Sequence, residues 1–186
     1  TLSKAMTGII PFAPVVSDAA AVGAGAVCGA LCRHHIGKAA TERIAKDPSL
    51  KYLTGWHTAG INVLGSFILG GVFGTPLVDP AVVASSTSKT AISNSAKTKV
   101  ASASASVSVG AAATNSFGGL TPRMKLLLGV GFCGSFTTFS TFSVDVVTMM
   151  GRGEMTKACS YVLTNNVGGV CAAAAGMMAA KKLFGR

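Results

Sequence analysis

Charge is what this sequence has least of. Asp, Glu, Lys and Arg make up 12% of its 186 residues, and only six of them are acidic. A typical soluble domain carries about 25%. Disorder is excluded, because it needs low hydrophobicity and this chain is 49% hydrophobic with a mean hydropathy of +0.55. Sixteen basic residues give a net charge of +10. That sum would suit a soluble nucleic-acid binder, but the polar surface such a protein needs is missing. Aromatic residues are also few, at 6%, while there are 23 glycines. Much glycine in an apolar chain points to closely packed membrane helices, where small residues let backbones approach.

The scarce reactive side chains exclude more. Five cysteines, at 28, 32, 133, 159 and 171, all fall within apolar stretches. An odd number so placed is not a disulfide framework. Cys28 and Cys32 stand at i, i+4, but no His or second Cys pair at ligand spacing joins them, so they read as small apolar residues. His34, His35 and His57 have no acid or cysteine partner in sequence. No catalytic constellation emerges, and the chain is not expected to be an enzyme.

What is present is organised by gaps between charges. Crossing a bilayer takes about 20 apolar residues. Tyr52 to Val78, Leu126 to Val144 and Ala158 to Ala180 contain no Asp, Glu, Lys or Arg, and Ala5 to Cys32 is interrupted only by Asp18. Four spans are predicted, near 17–37, 54–75, 124–150 and 158–182, in an all-α membrane protein. Pro11 and Pro14 predict that the first helix starts near the Ser17-Asp18 cap pair. That span lacks the basic start and short apolar core of a signal peptide, so it reads as a retained helix. Residues 34–51 read as a basic connection and 151–157 as a tight turn. Residues 79–121 hold a Ser/Ala/Thr/Lys low-complexity run with no apolar stripe, and read as a loop. The predicted organisation is a segment 1–16, two spans in 17–78, the loop 79–121, and two spans in 122–186, forming one membrane domain.

Loop lysines and arginines set orientation. Nine fall on the side of the N-terminus, second loop and C-terminus, and seven on the other. So small a bias fits a chain that inserts both ways, and equally one with a single, poorly marked orientation.

Polar groups at membrane depth are costly and are functional candidates by default. Thr58, Asn62 and Ser66 stand at i, i+4 and i+8 on one helix face. Tyr161 and Asn165 stand at i, i+4. Interhelical hydrogen bonding is the plain account of these. The third span reads Gly131-Phe-Cys-Gly-Ser-Phe-Thr-Thr-Phe-Ser-Thr-Phe-Ser143. Its Gly134, Ser135 and paired threonines invite a break, since hydroxyls compete for helix backbone groups. Broken backbone at this depth survives only inside protein or along a wet cavity. Its freed carbonyls can bind a cation. Phe139 and Phe142 share a face at i, i+3. Such a pair is ordinarily packing, but ring edges are electropositive and suit an anion.

The segment GFCGSFTTFSTFSVD, residues 131–145, resembles the signature of the Fluc/CrcB fluoride channels, G-x-x-T-T-F-S-T-F followed by an acid. Thr58-x3-Asn62-x2-Gly65-Ser66-Phe67 is similar to that family's second helix. Gly29-Ala-Leu-Cys-Arg33 resembles the end of its first, and Tyr161-Val-x2-Asn165-x3-Gly169 its fourth. The resemblance implies an antiparallel dual-topology homodimer of four-helix protomers with a broken third helix. It implies two fluoride pores, passive fluoride export and protection from fluoride toxicity. A structural sodium ion would sit at the dimer centre on the backbone carbonyls of Gly134 and Thr137. Pore residues would be Asn62, Thr58, Phe139, Phe142, Ser140, Thr141, Tyr161 and Asn165, with Arg33 at a vestibule. The implied partners are fluoride, the lipid bilayer of the cell membrane and a second copy, with no nucleic acid. Three positions depart from the pattern: Asn165 replaces the common Ser, Asp145 replaces Glu, and the 79–121 loop is unusually long.

The chemistry of such a pore agrees with the residues. Fluoride is strongly hydrated, so dense neutral donors must replace its water, while fixed cations at mid-pore would hold it too tightly. Two other readings stay open. A small dual-topology proton-coupled exporter would need a membrane-embedded carboxylate, and only Asp18 and Asp145 lie near spans. A structural assembly protein would use Gly25-x3-Gly29 and Gly70-x3-Gly74 simply to pack helices.

Overall fold

A computed structural model describes residues 12–78 and 119–185. Most of the predicted 79–121 loop lies outside the described residues, as does most of the 1–16 segment. The described chain is helical. Helix α1 is Phe12–Lys46, a 3-10 turn covers Pro48–Leu53, and α2 is Trp56–Gly74. The third span begins with α3, Pro122–Lys125, continues as a π-helical stretch Leu126–Cys133, and ends its first half in α4, Gly134–Phe136. Its second half is α5, Phe139–Gly151. The fourth span is α6, Met155–Leu163, a π-helical stretch Thr164–Gly168, and α7, Gly169–Phe184. Among the described residues, four helical stretches are long and apolar enough to cross a membrane: Val16–Lys46, Trp56–Gly74, Pro122–Gly151 and Met155–Phe184.

The predicted 151–157 turn is shorter, since helix resumes at Met155. Three other differences from the sequence prediction have a clear physical reason. First, α1 starts at Phe12, ahead of the Ser17-Asp18 pair. Pro14 falls in its first turn, where the backbone N–H has no helical partner to lose. Second, the predicted basic connection 34–51 is helix as far as Lys46. Asp47 then takes an extended conformation and accepts a hydrogen bond from the Ser49 amide at 2.9 Å, which opens the 3-10 turn. Third, residues 119–121 belong to the framework. Leu77 and Leu120 form an isolated parallel bridge. The Val78 N–H donates to the Leu120 carbonyl at 3.1 Å, and the Leu120 N–H donates to the Pro76 carbonyl at 2.9 Å. Lys125 reinforces the junction by donating to the Thr75 carbonyl at 2.7 Å.

Glycine sets how closely the helices pack. A Cβ on Gly25 or Gly29 would collide with the carbonyl oxygens of Leu127 and Phe132 in the third span. A Cβ on Gly70 or Gly74 would collide with those of Ala173 and Met177 in α7. These two small-residue pairs therefore join α1 to the third span and α2 to the fourth. A compact apolar cluster of Ala59, Met149, Ala158 and Tyr161 fastens the start of α2 to the ends of α5 and α6, with Trp56, Phe142 and Val146 against it. Tyr161 is fully buried. By contrast Val27, Leu31, Val144, Val147, Val170 and Met178 are exposed in the single chain, as expected where lipid or another protein surrounds the bundle.

Candidate functional site: a polar cavity at the helix break

The break in the third span lies at Thr137 and Thr138. Thr137 leaves the helix at φ −80°, ψ 156°, and Thr138 is extended at φ −149°, ψ 111°. Two hydrogen bonds end the first half, as the Thr137 N–H and hydroxyl both donate to the Cys133 carbonyl, at 3.0 and 2.9 Å. The second half is capped by Thr138, whose hydroxyl oxygen accepts from the Thr141 amide at 3.3 Å. Thr138 is 8% exposed, so its backbone groups need partners within the protein. Asn62 supplies them. Its Oδ1 accepts from the Thr138 N–H at 2.9 Å, and its Nδ2 donates to the Thr138 carbonyl at 3.4 Å.

Asn62 is itself held from the fourth span. Its Nδ2 donates to Asn165 Oδ1 at 2.8 Å, and Asn165 Nδ2 donates to the Tyr161 carbonyl at 2.9 Å. The Tyr161 hydroxyl donates to Asp145 Oδ2 at 2.8 Å. One polar chain thus runs from Thr138 through Asn62, Asn165 and Tyr161 to Asp145. Thr58, on the Asn62 face of α2, is 2% exposed and within hydrogen-bonding reach of the Tyr161 hydroxyl.

Beside this chain opens a cavity of about 210 Å³, lined by Asn62, Ser66, Leu69, Thr137, Thr138, Phe139, Phe142, Asn165 and Asn166. Phe139 and Phe142 face each other with ring centroids 5.5 Å apart and planes tilted by 45°. Phe142 also stacks on Tyr161 at 5.6 Å. Phe139 is 77% exposed, so in a single chain that side of the cavity is open. The cavity offers amide and hydroxyl groups and two phenylalanine rings, and among the described residues no Lys, Arg, Asp or Glu lines it.

Of the residues singled out in the sequence, Asn62, Thr137, Phe139, Phe142 and Asn165 meet at this cavity. Tyr161 and Thr58 lie behind its wall. Ser140 and Thr141 do not line it. Both are exposed and turn their hydroxyls to Thr138 Oγ1, at 3.3 and 3.0 Å. Arg33 is half-buried on α1 and does not line it either. Gly134 is exposed, with open space where a Cβ would stand.

Four lining residues were not selected from the sequence. Ser66 is the last member of the i, i+4, i+8 stripe of α2. Thr138 was visible as half of the threonine pair, but its role rests on backbone groups, which sequence spacing does not weigh. Leu69 carries no polar signal. Asn166 follows Asn165, and ordinary helical geometry turns adjacent residues about 100° apart. Both asparagines lie in the wider π-helical turn Thr164–Gly168 and both reach the cavity. Such turns are often found at functional sites.

Comparison with known proteins places this geometry. A family described as CrcB-like protein, Camphor Resistance (CrcB), matches residues 20–177. The fluoride-specific ion channel FluC of Gloeobacter violaceus is 27% identical over 172 residues, covering 91% of this chain and all of that protein. The FluC channel of Leptospira interrogans is 30% identical over 128 residues, 69% of this chain and 71% of its own length. FluC 2 of Moorella thermoacetica is 46% identical over 67 residues, 36% of this chain and 55% of that protein. The match over residues 20–177 takes in the cavity and most of each of the four spans, and the chain belongs to the CrcB family as a multi-pass integral membrane protein.

Proposed function

We propose that this protein is a fluoride-selective channel giving passive export and protection from fluoride toxicity, and that it works as an antiparallel dual-topology homodimer. The observation that carries the reading is the meeting of Asn62, Phe139, Phe142 and Asn165 at one uncharged cavity beside a helix break, in a family with relatives named as fluoride channels. The same reading makes the protein a channel and not an enzyme.

A small hydrated anion gives up water only to donors that replace it, and leaves only if no fixed charge traps it. The Asn62 amide would supply the central donor. Its bond to the Thr138 carbonyl is long, at 3.4 Å, so this N–H is the one most easily turned to an ion. The edges of Phe139 and Phe142 would carry the ion past the break. Asn166 would extend the donor line, while the Ser66 hydroxyl, which donates to the Asn62 carbonyl at 2.7 Å, would line the wall. Tyr161, whose hydroxyl already donates its hydrogen bond to Asp145, would support the wall through its stack on Phe142. Ser140 and Thr141 would hold Thr138, and Arg33 would draw anions toward one entrance. A second copy would close the open side at Phe139.

The backbone fits a structural cation. The Thr138 N–H, which would donate to the Gly134 carbonyl in an unbroken helix, is turned to Asn62. Thr137 is out of helical conformation. The carbonyls of Gly134, which is exposed, and of Thr137, which is half-buried, would hold a sodium ion shared between copies. Bound sodium would supply positive charge that offsets repulsion between two nearby anions, with the oxygen ligands hard cations prefer.

Fluoride efflux from liposomes, compared with chloride and run with and without a proton gradient, tests the reading. Fast fluoride-selective flux indifferent to the gradient is expected. Flux that requires the gradient would instead favour a proton-coupled exporter, with Asp145 as its carboxylate. Absence of flux would favour a structural assembly protein.

A further inference from the structure

Helix α1 is longer than a membrane needs. Its 35 residues extend about 52 Å at 1.5 Å each, against a hydrocarbon core of about 30 Å. The surplus lies at one end. Ala19 to Cys32 carries no charge, and from Arg33 onward the helix is basic. A Cβ placed on Gly37 would stand 3.8 Å from the His57 ring, near the start of α2, so the helix still packs on the bundle there. The helix then continues to Lys46, and the Pro48–Leu53 turn leads the chain back.

This tail is two-faced. Arg33, Gly37, Ala40 and Ile44 are half-buried, at the i, i+4, i+7, i+11 spacing of one helix face. The remaining surface exposes Lys38, Arg43 and Lys46, and the turn adds exposed Lys51. Among the described residues little neutralises them. Lys38 reaches Glu42 only at 4.0 Å, with both side chains more than half exposed, an arrangement worth little in water. Arg43, Lys46 and Lys51 make no ion pair among the described residues. Asp47 is committed to Ser49, whose hydroxyl and amide donate to it at 2.7 and 2.9 Å and hold its carboxyl below the usual range. Tyr52 is 67% exposed and Ile36 42%, an aromatic and an apolar group where a membrane interface favours such residues.

We propose that the α1 tail and the following turn form a platform for anionic phospholipid headgroups, with Lys38, Arg43, Lys46 and Lys51 as its contacts. Clustered Lys and Arg directly outside a membrane helix attract anionic lipid, and the attraction fades within a Debye length. The proposal is independent of what the cavity conducts.

Trp56, the only tryptophan, stands at the start of α2 beyond this turn and serves as the reporter. The full chain is placed in phosphatidylcholine vesicles doped with dibrominated phosphatidylglycerol or dibrominated phosphatidylcholine, and quenching of Trp56 gives the relative affinity. A preference of about tenfold for phosphatidylglycerol is expected. It should fall close to one in the Lys38→Gln, Arg43→Gln, Lys46→Gln, Lys51→Gln variant and persist in Lys181→Gln, Lys182→Gln. Equal quenching by both lipids in the unaltered protein would overturn the proposal. So would a preference that survives the fourfold change, or one that the control change removes as completely. Should the fourfold variant not fold, the unaltered protein still decides: a preference that collapses in molar salt supports the platform, and one indifferent to salt refutes it.

Discussion

Two helices in this protein begin the same way in opposite surroundings. The 3-10 turn after α1 starts at Asp47, which is extended and accepts from the Ser49 amide in water. Helix α5 starts at Thr138, which is extended and accepts from the Thr141 amide within the third span. At the surface the cap is a charged carboxylate, and water can serve whatever backbone groups remain. At the break the cap is a neutral hydroxyl, and Asn62 from another helix binds both backbone groups of the capping residue. The difference shows what a break at membrane depth demands. One side chain can cap a helix, but an interior cap also needs a partner for the backbone it exposes.

Substitutions can break that contrast, and the largest effect should come from Asn62→Leu. It strands the Thr138 N–H and carbonyl, at a cost of about 2 kcal/mol or more, and removes the proposed central donor. Loss of fluoride flux with a lowered melting temperature is expected, and normal melting would show that the break does not depend on this amide. Phe142→Ile should abolish flux while leaving the assembly size on gel filtration unchanged. Retained flux would remove the ring edges from the mechanism. Thr138→Val keeps the shape of the cap without its hydroxyl and should cost about 1 kcal/mol, read as a modest fall in melting temperature with flux preserved in part. Asp47→Ala should be the mildest, with flux unaltered. The Asp47 carboxyl is held below its ordinary value by the Ser49 hydroxyl and amide. Its cap is therefore fully present at neutral pH and is lost only as acid protonates it. A fall in stability at neutral pH as large as that of Thr138→Val would erase the distinction between the two caps.

Much of this was legible in the residues. Gaps between charges located four spans, because a bilayer tolerates few charges. Thr58, Asn62 and Ser66 declared a shared face through spacing alone. The string around Phe139 and Phe142 marked both the break and the cavity wall. What escaped depended on groups that sequence does not display. Thr138 matters through its N–H and carbonyl, which every non-proline residue possesses. Asn166 reaches the cavity from a π-helical turn, and nothing in Thr-Asn-Asn-Val-Gly announces that wider winding. Ser140 and Thr141 looked like lining because hydroxyls suit an anion path, yet a nearer hydroxyl, on Thr138, claims them. The start of α1 escapes the sequence because Pro11, Pro14 and the Ser17-Asp18 pair together resemble a later start, although the first turn of a helix admits proline.

The small parallel bridge at Leu77 and Leu120 has a consequence for how such a chain can evolve. It brings residues 78 and 119 together independently of how many residues lie between them. Closure entropy grows slowly with the number of residues in a connection, by about 0.6 kcal/mol for each doubling. Parallel pairing also rules out a tight hairpin, since it needs a crossover of roughly a dozen residues. Length there has a floor and almost no ceiling, which makes the junction a natural port for insertions, fusions and tags that leave the helices undisturbed.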